Sequence, residues 1–158
     1  MTSGKTRNAA LTSLQNQLRV QATRTVMFHS AVAARLGITL TDLSCLNVLG
    51  IDGPQTPGSL AARLGITRGG AVTALIDRLE RAGYVRRERD PHDRRRVLVA
   101  LDEASAAAAA LFSGLGAAIG AHLDGYDTAE IELLARFVAE INARVDEAAG
   151  QLRSGQTP

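Results

Sequence analysis

Aromatic residues are scarce: the 158 residues include no Trp, two Tyr and three Phe. A core of ordinary size must therefore be aliphatic and Ala-rich. Cysteine occurs once, as Cys45, which excludes an internal disulfide, and no local group of Cys and His has zinc-ligand spacing. No metal and no cofactor is expected. Lysine is nearly absent, since of 18 basic residues only Lys5 is not Arg. Met1 to Arg19 lacks the apolar core of a secretory signal. The longest uncharged run, Ala104 to Ala121, is mostly Ala, Gly and Ser, and it reads as too weakly hydrophobic for a membrane span. Catalytic signatures are missing too: there is no P-loop, no G-x-G-x-x-G after a strand, no H-E-x-x-H and no G-x-S-x-G. Three scattered His and one Cys make no triad. The expectation is a non-enzymatic protein of a reducing, cytoplasmic compartment, with no membrane partner.

What is present is globular. Hydrophobic residues make up 46% and charged residues 22%, which excludes wholesale disorder and a collagen-like repeat. The length suits one domain or two small lobes. The net charge of +2 conceals an uneven distribution. Residues 60–100 hold ten Arg and five acids, while the remainder is net acidic. A genome-wide preference for Arg would explain Arg over Lys, but not this clustering. Arginine's planar fork suits phosphates and base edges, so the basic segment points to nucleic acid.

Hydrophobic periodicity predicts a helix over 9–36, carrying Leu11, Leu14, Leu18, Ala22, Val26 and Ala33. A second helix follows Thr39 or Thr41, either of which can cap it, and runs to about Ile51. Thr56-Pro57 starts a short third helix with a hydroxyl cap and Pro at the first turn, and Gly65 stops it. Thr67 is read as the cap of a fourth helix, with Ala71, Val72, Leu75, Ile76, Leu79 and Ala82 as its apolar positions at a 3.6 period and Gly70, Thr73, Ala74 and Asp77 outward. The period then changes: Tyr84 to Arg89 and Val97 to Leu101 read as two strands of a hairpin whose tip carries Arg94-Arg95-Arg96. Two final helices follow. The first has a stripe of Leu111, Leu115, Ile119 and Leu123. The second opens on the Asp127-to-Glu130 capping box and carries Ile131, Leu134, Phe137, Val138, Ile141 and Val145.

Two short helices joined by a Gly-containing turn and followed by a basic hairpin make a winged helix-turn-helix. Adjacent like charges at the tip repel one another, so a polyanion partner is the economical explanation. Asp77 would repel phosphate, and it is expected to pair with Arg81 or a wing Arg. The helix pair alone would be a weak signal, because such spacing is common. A protein-interaction module that has lost DNA binding is disfavoured by the intact Arg tip.

The stretch from Gly58-Ser59-Leu60-Ala61 through Leu64-Gly65-Ile66-Thr67, Ala71-Val72-Thr73, Asp77-Arg78-Leu79-Glu80-Arg81-Ala82-Gly83-Tyr84-Val85 and the wing Asp90-Pro91-His92-Asp93-Arg94-Arg95-Arg96 resembles the MarR family of bacterial transcription regulators. The resemblance implies a fold that is mainly α with a small β-hairpin wing. It assigns 1–36 and 102–152 to dimerisation, 37–101 to a winged helix-turn-helix DNA-binding domain, and 153–158 to a polar tail. It implies a homodimer in which the first, fifth and sixth helices interlock, so that two winged helices meet a pseudo-palindromic double-stranded operator. Carried over by position, Arg95 is the wing arginine of the D-x-R pattern, braced by Asp93 or inserted in the minor groove. Thr73 faces bases and Arg78 contacts the DNA backbone. The full set of expected DNA contacts is Ser59, Thr67, Arg68, Gly69, Gly70, Thr73, Arg78, Arg94, Arg95 and Arg96. The expected dimer interface is Leu11, Leu14, Leu18, Leu123, Ile131, Leu134, Phe137, Ile141 and Val145. Gly69-Gly70 departs from the family by leaving fewer side chains for base readout.

The resemblance further implies a repressor relieved by a small anionic or aromatic effector, for which Phe28 and His29 on the first helix are the candidates. Alternatives are a non-specific, architectural DNA binder, or a redox-responsive regulator acting through Cys45. The second is disfavoured because no basic residue close in sequence would stabilise a thiolate.

Overall fold

The computed structural model describes residues 2–66 and 69–155, with side chains from Thr6 onward. The described residues form six helices and one hairpin: α1 (Thr2–Leu36), α2 (Leu40–Asp52), α3 (Pro57–Leu64), α4 (Gly70–Arg81), β1 (Val85–Arg89), β2 (Val97–Leu101), α5 (Ser105–Leu123) and α6 (Thr128–Arg153). The chain divides into two units, 1–108 and 109–158.

In the first unit α1 starts earlier than its apolar pattern indicates, because residues 2–8 are polar and carry no helical stripe. It ends at Gly37, where φ is +68° and the amide of Ile38 donates back to Ala33 O at 3.1 Å. Only a residue without Cβ takes that conformation freely. Of the two hydroxyls that could cap α2, Thr39 does so: its Oγ1 accepts from the Asp42 amide at 3.1 Å, and Asp42 Oδ2 accepts from the Thr39 amide at 3.0 Å. This is a reciprocal capping box. Thr56 caps α3 through the Ser59 amide, with Pro57 in the first turn and Gly65 left-handed at the end.

The start of α4 differs from expectation. Its N-cap is Gly69, at φ +102°, with no side-chain cap bond, whereas Thr67 had been expected to cap it. Thr67 and Arg68 lie outside the described residues.

β1 and β2 pair antiparallel, with Val85 opposite Leu101 and Arg89 opposite Val97. A single bridge adds Gln55, whose amide donates to Val99 O at 3.0 Å and whose carbonyl oxygen accepts from the Val99 amide at 2.8 Å. The wing root is thereby stitched to the chain ahead of α3.

The core joins Cys45, Leu46 and Leu49 of α2, Leu60 and Ala61 of α3, Val72, Leu75, Ile76 and Leu79 of α4, and Val85, Val99 and Ala108. No aromatic side chain is fully buried among the described residues. Each buried Leu, Ile or Val contributes about 1.5–3 kcal/mol, so this aliphatic set fixes α2, α3, α4 and the wing root together. Ala71 and Ala82 stay exposed.

In the second unit Asp127 and Glu130 close the capping box of α6, with both bonds at 2.9 Å. None of the 26 residues of α6 is buried. Ser105–Leu123 has a mean hydropathy of 1.5 and is, by length and composition, long and apolar enough to cross a membrane. From the sequence the run reads as too weakly hydrophobic for a span; its many Ala raise the mean hydropathy while adding little apolar area per residue. A Cβ added at Gly116 or Gly120 would meet nothing within 4 Å, so these glycines have no close neighbour among the described residues.

Candidate nucleic-acid interface

The amphipathic pattern of α4 sorts its side chains cleanly. Val72, Leu75, Ile76 and Leu79 are buried, while Gly70, Thr73 and Ala74 are exposed on the other face. Gly69 is required by its positive φ. Gly70 has no such requirement, and a Cβ there would meet nothing within 4 Å. The opening of α4 is thus bare backbone, with no side-chain cap bond from the N-cap Gly69.

The described arginines of residues 60–100 separate into two classes. Most are held internally. Arg63 pairs with Asp52. Arg86 pairs with Glu88 at 3.1 Å. Arg87, on β1, pairs with Asp77 at 2.5 Å and with Glu80, both on α4. Those two carboxylates hold the Arg87 guanidinium above its ordinary pKa, the Asp77 hydrogen bond most strongly. Arg81 donates from Nε to the Asp77 carbonyl at 3.1 Å, so the partner of the Asp77 carboxylate is the wing arginine.

Arg78 makes a two-point contact with a buried carboxylate. Its Nε donates to Asp42 Oδ2 at 3.1 Å and its Nη2 to Oδ1 at 2.5 Å. Asp42 is fully buried. Burial alone would raise its pKa, but the hydrogen bonds from Arg78 and from Thr39 outweigh it and hold the carboxyl below its ordinary value. The sequence reading did not single out Asp42. Its signal was present as the third residue of the Thr39 capping box, but nothing local indicates a partner 36 positions away.

Arg89, Arg94 and Arg95 make no ion pair among the described residues. The wing tip is organised by its acids. Asp90 Oδ1 accepts from the His92 amide at 2.8 Å and the Asp93 amide at 3.3 Å. Asp93 Oδ1 accepts from the Arg95 amide at 3.1 Å, and its Oδ2 lies 3.4 Å from Arg96 Nε. Asp93 therefore braces the backbone of Arg95 and the side chain of Arg96. Arg94, Arg95 and Arg96 are all exposed.

Ser59 is half-buried, and its hydroxyl donates to Gln55 Oε1 at 2.8 Å. Phe28 and His29 are half-buried with ring centroids 6.2 Å apart. A depression on α1 is walled by Arg19, Val20, Thr23, Arg24 and Met27, and neither ring lines it. Cys45 is fully buried. Burial, helped by the nearby Asp42 charge, pushes its thiol up to about 12, so it carries no thiolate at neutral pH. No group of three or more His, Cys, Asp or Glu could hold a metal among the described residues.

The geometry is that of a helix-turn-helix with a basic wing, and comparison with known proteins agrees. The MarR family profile matches residues 36–96. The HTH-type transcriptional regulator YcgE of Bacillus subtilis is 41% identical over 136 residues, covering 85% of this chain and 88% of that one. Among solved structures, a MepR variant from a multidrug-resistant S. aureus clinical isolate superposes with a TM-score of 0.68 at 18% identity, covering 84% of this chain and 96% of the other. A MarR family protein from Bacillus stearothermophilus gives 0.64 at 22% identity, over 88% and 97%. The two structures share the fold, and the B. subtilis relative extends the likeness along nearly the whole sequence. The chain belongs to the MarR family of HTH-type transcriptional regulators.

Proposed function

We propose that the protein is a homodimeric repressor that binds a pseudo-palindromic double-stranded operator and is released by a small anionic or aromatic effector. The observation that carries the DNA reading is the contrast among the arginines: those near the core are neutralised by carboxylates, whereas Arg94 and Arg95 stand exposed at the wing tip without an ion pair. The open, small-residue face of α4 suits a major groove, with Thr73 reading a base edge or a thymine methyl. Arg68, Thr67, Ser59, Gly69 and Gly70 would border the same groove and its phosphates. The wing would reach the minor groove or backbone.

Dimerisation is supported by the apolar stripes that one chain leaves open. Leu11 and Leu14 on α1, Leu115 and Ile119 on α5, and Ile131, Leu134 and Val145 on α6 are all exposed, while Leu18, Leu123, Phe137 and Ile141 are half-buried. In a dimer, residues 1–36 and 102–152 would form the shared lobe and 37–101 the DNA-binding domain, with 153–158 a tail. The apolar composition of α5, and its uncrowded Gly116 and Gly120, fit a helix packed on a second protein surface. The effector part rests on the family resemblance, with the Phe28–His29 pair as its candidate contact. The protein would act in the cytoplasm, on the nucleoid. The buried, protonated Cys45 weighs against a redox trigger.

Selection of bound sequences from a random duplex library at near-physiological salt tests this reading. An enriched inverted repeat, its half-sites about one helical turn apart, is the expected result. Weak salt-sensitive binding with no enrichment would favour an architectural DNA binder and overturn the operator reading.

A further inference from the structure

The recognition helix α4 is gripped on both flanks. Projected at about 100° per residue, its outward face centres on Gly70, with Asp77 and Ala74 close by and Leu79 opposite. Arg78 falls about 80° to one side of that centre and Glu80 about 80° to the other. On the first side, Arg78 closes a two-point fork on Asp42 of α2. On the second, Glu80 and its neighbour Asp77 hold Arg87 of the wing strand β1. The Asp42 carboxylate also accepts from the Thr39 amide at 3.0 Å, so the brace on that side reaches the first turn of α2. Hydrophobic burial of Val72, Leu75, Ile76 and Leu79 seats the helix but is non-directional. Two directional ion-pair contacts on opposite flanks fix its roll.

We propose that Arg78 and Arg87 are positioning residues: through Asp42 on one flank and Asp77 with Glu80 on the other, they set the roll of α4 and thereby aim Thr73 and Gly70 at the DNA, instead of neutralising phosphates themselves. This replaces the backbone contact expected for Arg78, and it rests on the reading that α4 enters an operator groove. A guanidinium committed to an internal carboxylate releases few counterions when DNA binds, because its charge is already compensated.

Salt dependence separates the two roles. Affinity for the selected operator and for a random duplex of equal length is measured between about 50 and 200 mM salt, for wild type, Arg78→Ala, Asp42→Asn, the double variant and Arg87→Ala. Each protein is assayed below its melting temperature, with folding confirmed by circular dichroism. The expected result is a fall of at least about tenfold in the operator-to-random affinity ratio for each single variant, with the salt slope unchanged. Asp42→Asn should reproduce the Arg78→Ala defect although Asp42 is buried, and the double variant should add nothing further. A uniform loss on both duplexes, with a slope smaller by about one, would show phosphate contacts and overturn the proposal. So would an intact affinity ratio in Asp42→Asn. Arg87→Ala removes an arginine that does not contact buried Asp42, so it keeps the test open if the α2 variants fail to fold. A wild-type protein without any sequence preference would instead remove the operator reading, and this inference with it. An intact wild-type preference beside phosphate-like variants would remove this inference alone.

Discussion

Asp42 has no exposed surface, yet both its carboxylate oxygens are held by Arg78, a residue whose side chain keeps 47% of its own exposure. One end of the pair lies in the core and the other at the surface that carries the helix-turn-helix. The pair therefore couples folding to the site. Its carboxylate also closes the cap of α2, so protonation there would loosen two elements together.

The sign of the pH dependence follows from the direction of the shift. The folded Asp42 carboxyl titrates below its unfolded value. Its stabilisation is full above the ordinary Asp value of about 3.9 and is lost as the pH falls through the lower folded value. At neutral pH Asp42→Asn should cost about 1–3 kcal/mol, toward the lower end because Arg78 is half solvated. Urea titrations of both proteins from about pH 7 down to about pH 3 should show the gap narrowing in acid. A gap that is constant with pH would mean that the charge of Asp42 is not what stabilises the fold.

Arg95→Ala should weaken operator binding by at least about tenfold and lower the salt slope by about one, with the melting temperature unchanged. The side chain is exposed and without an ion pair among the described residues, while the turn is held by Asp90 and Asp93 through backbone amides. Truncating it removes no contact that supports the wing. Wild-type affinity in this variant would place the wing away from the DNA.

Gly69 and Gly70 should respond in opposite ways to alanine. Gly69 sits at φ +102°, where a Cβ is strained, so Gly69→Ala should destabilise. Gly70 has open space around it, so Gly70→Ala should stabilise the helix by about 0.4–1 kcal/mol. The same methyl would stand where DNA is expected to approach the backbone, and operator affinity should fall as thermal stability rises. Gains in both would indicate that no ligand comes close to this turn.

The core and the hairpin were readable because burial imposes period. Val72, Leu75, Ile76 and Leu79 announce their inward face at helical spacing, and Val85 and Val99 mark the wing strands. The cap of α4 was not readable. A hydroxyl at position 67 is a sound local signal, but Gly69 at positive φ sets the first helical residue at Gly70. The Arg cluster was visible as charge but not as structure, since pairing between Arg78 and Asp42, or between Arg87 and Glu80, depends on contacts between elements. Composition made ten arginines look alike; tertiary partners divide the described ones into those paired with carboxylates and those without an ion pair among the described residues.

Cys45 should be chemically silent in the native protein. It is buried, and burial pushes its thiol up to about 12. Thiol-reactive dye should label it only as fast as the protein unfolds, and peroxide at concentrations that oxidise an exposed thiol should leave DNA affinity unchanged. Rapid native labelling would restore the redox reading. Cys45→Ser should destabilise by about 1–3 kcal/mol, because the hydroxyl enters an apolar cluster with Leu46, Leu49 and Leu60.

The apolar stripe of α6 gives the sharpest test of self-association. Leu134 is 40% exposed and Val145 60% exposed in the single chain, and Phe137 lies on the same stripe, half-buried. If one chain were the functional unit, charged replacements there would meet solvent, and an exposed substitution shifts stability by only about 0.5 kcal/mol. If the stripe is covered by a second copy, two aspartates per chain would be buried without partners, at several kcal/mol for each charge. Leu134→Asp with Phe137→Asp should therefore convert a sedimenting dimer to monomer. Operator affinity should fall by about a hundredfold or more, because half-sites linked in one dimer gain from effective concentration. A wild-type monomer would overturn the dimer reading, whereas a double variant that still sediments as a dimer would move the interface away from α6, and the apolar stripes of α1 and α5 would then have to supply it alone.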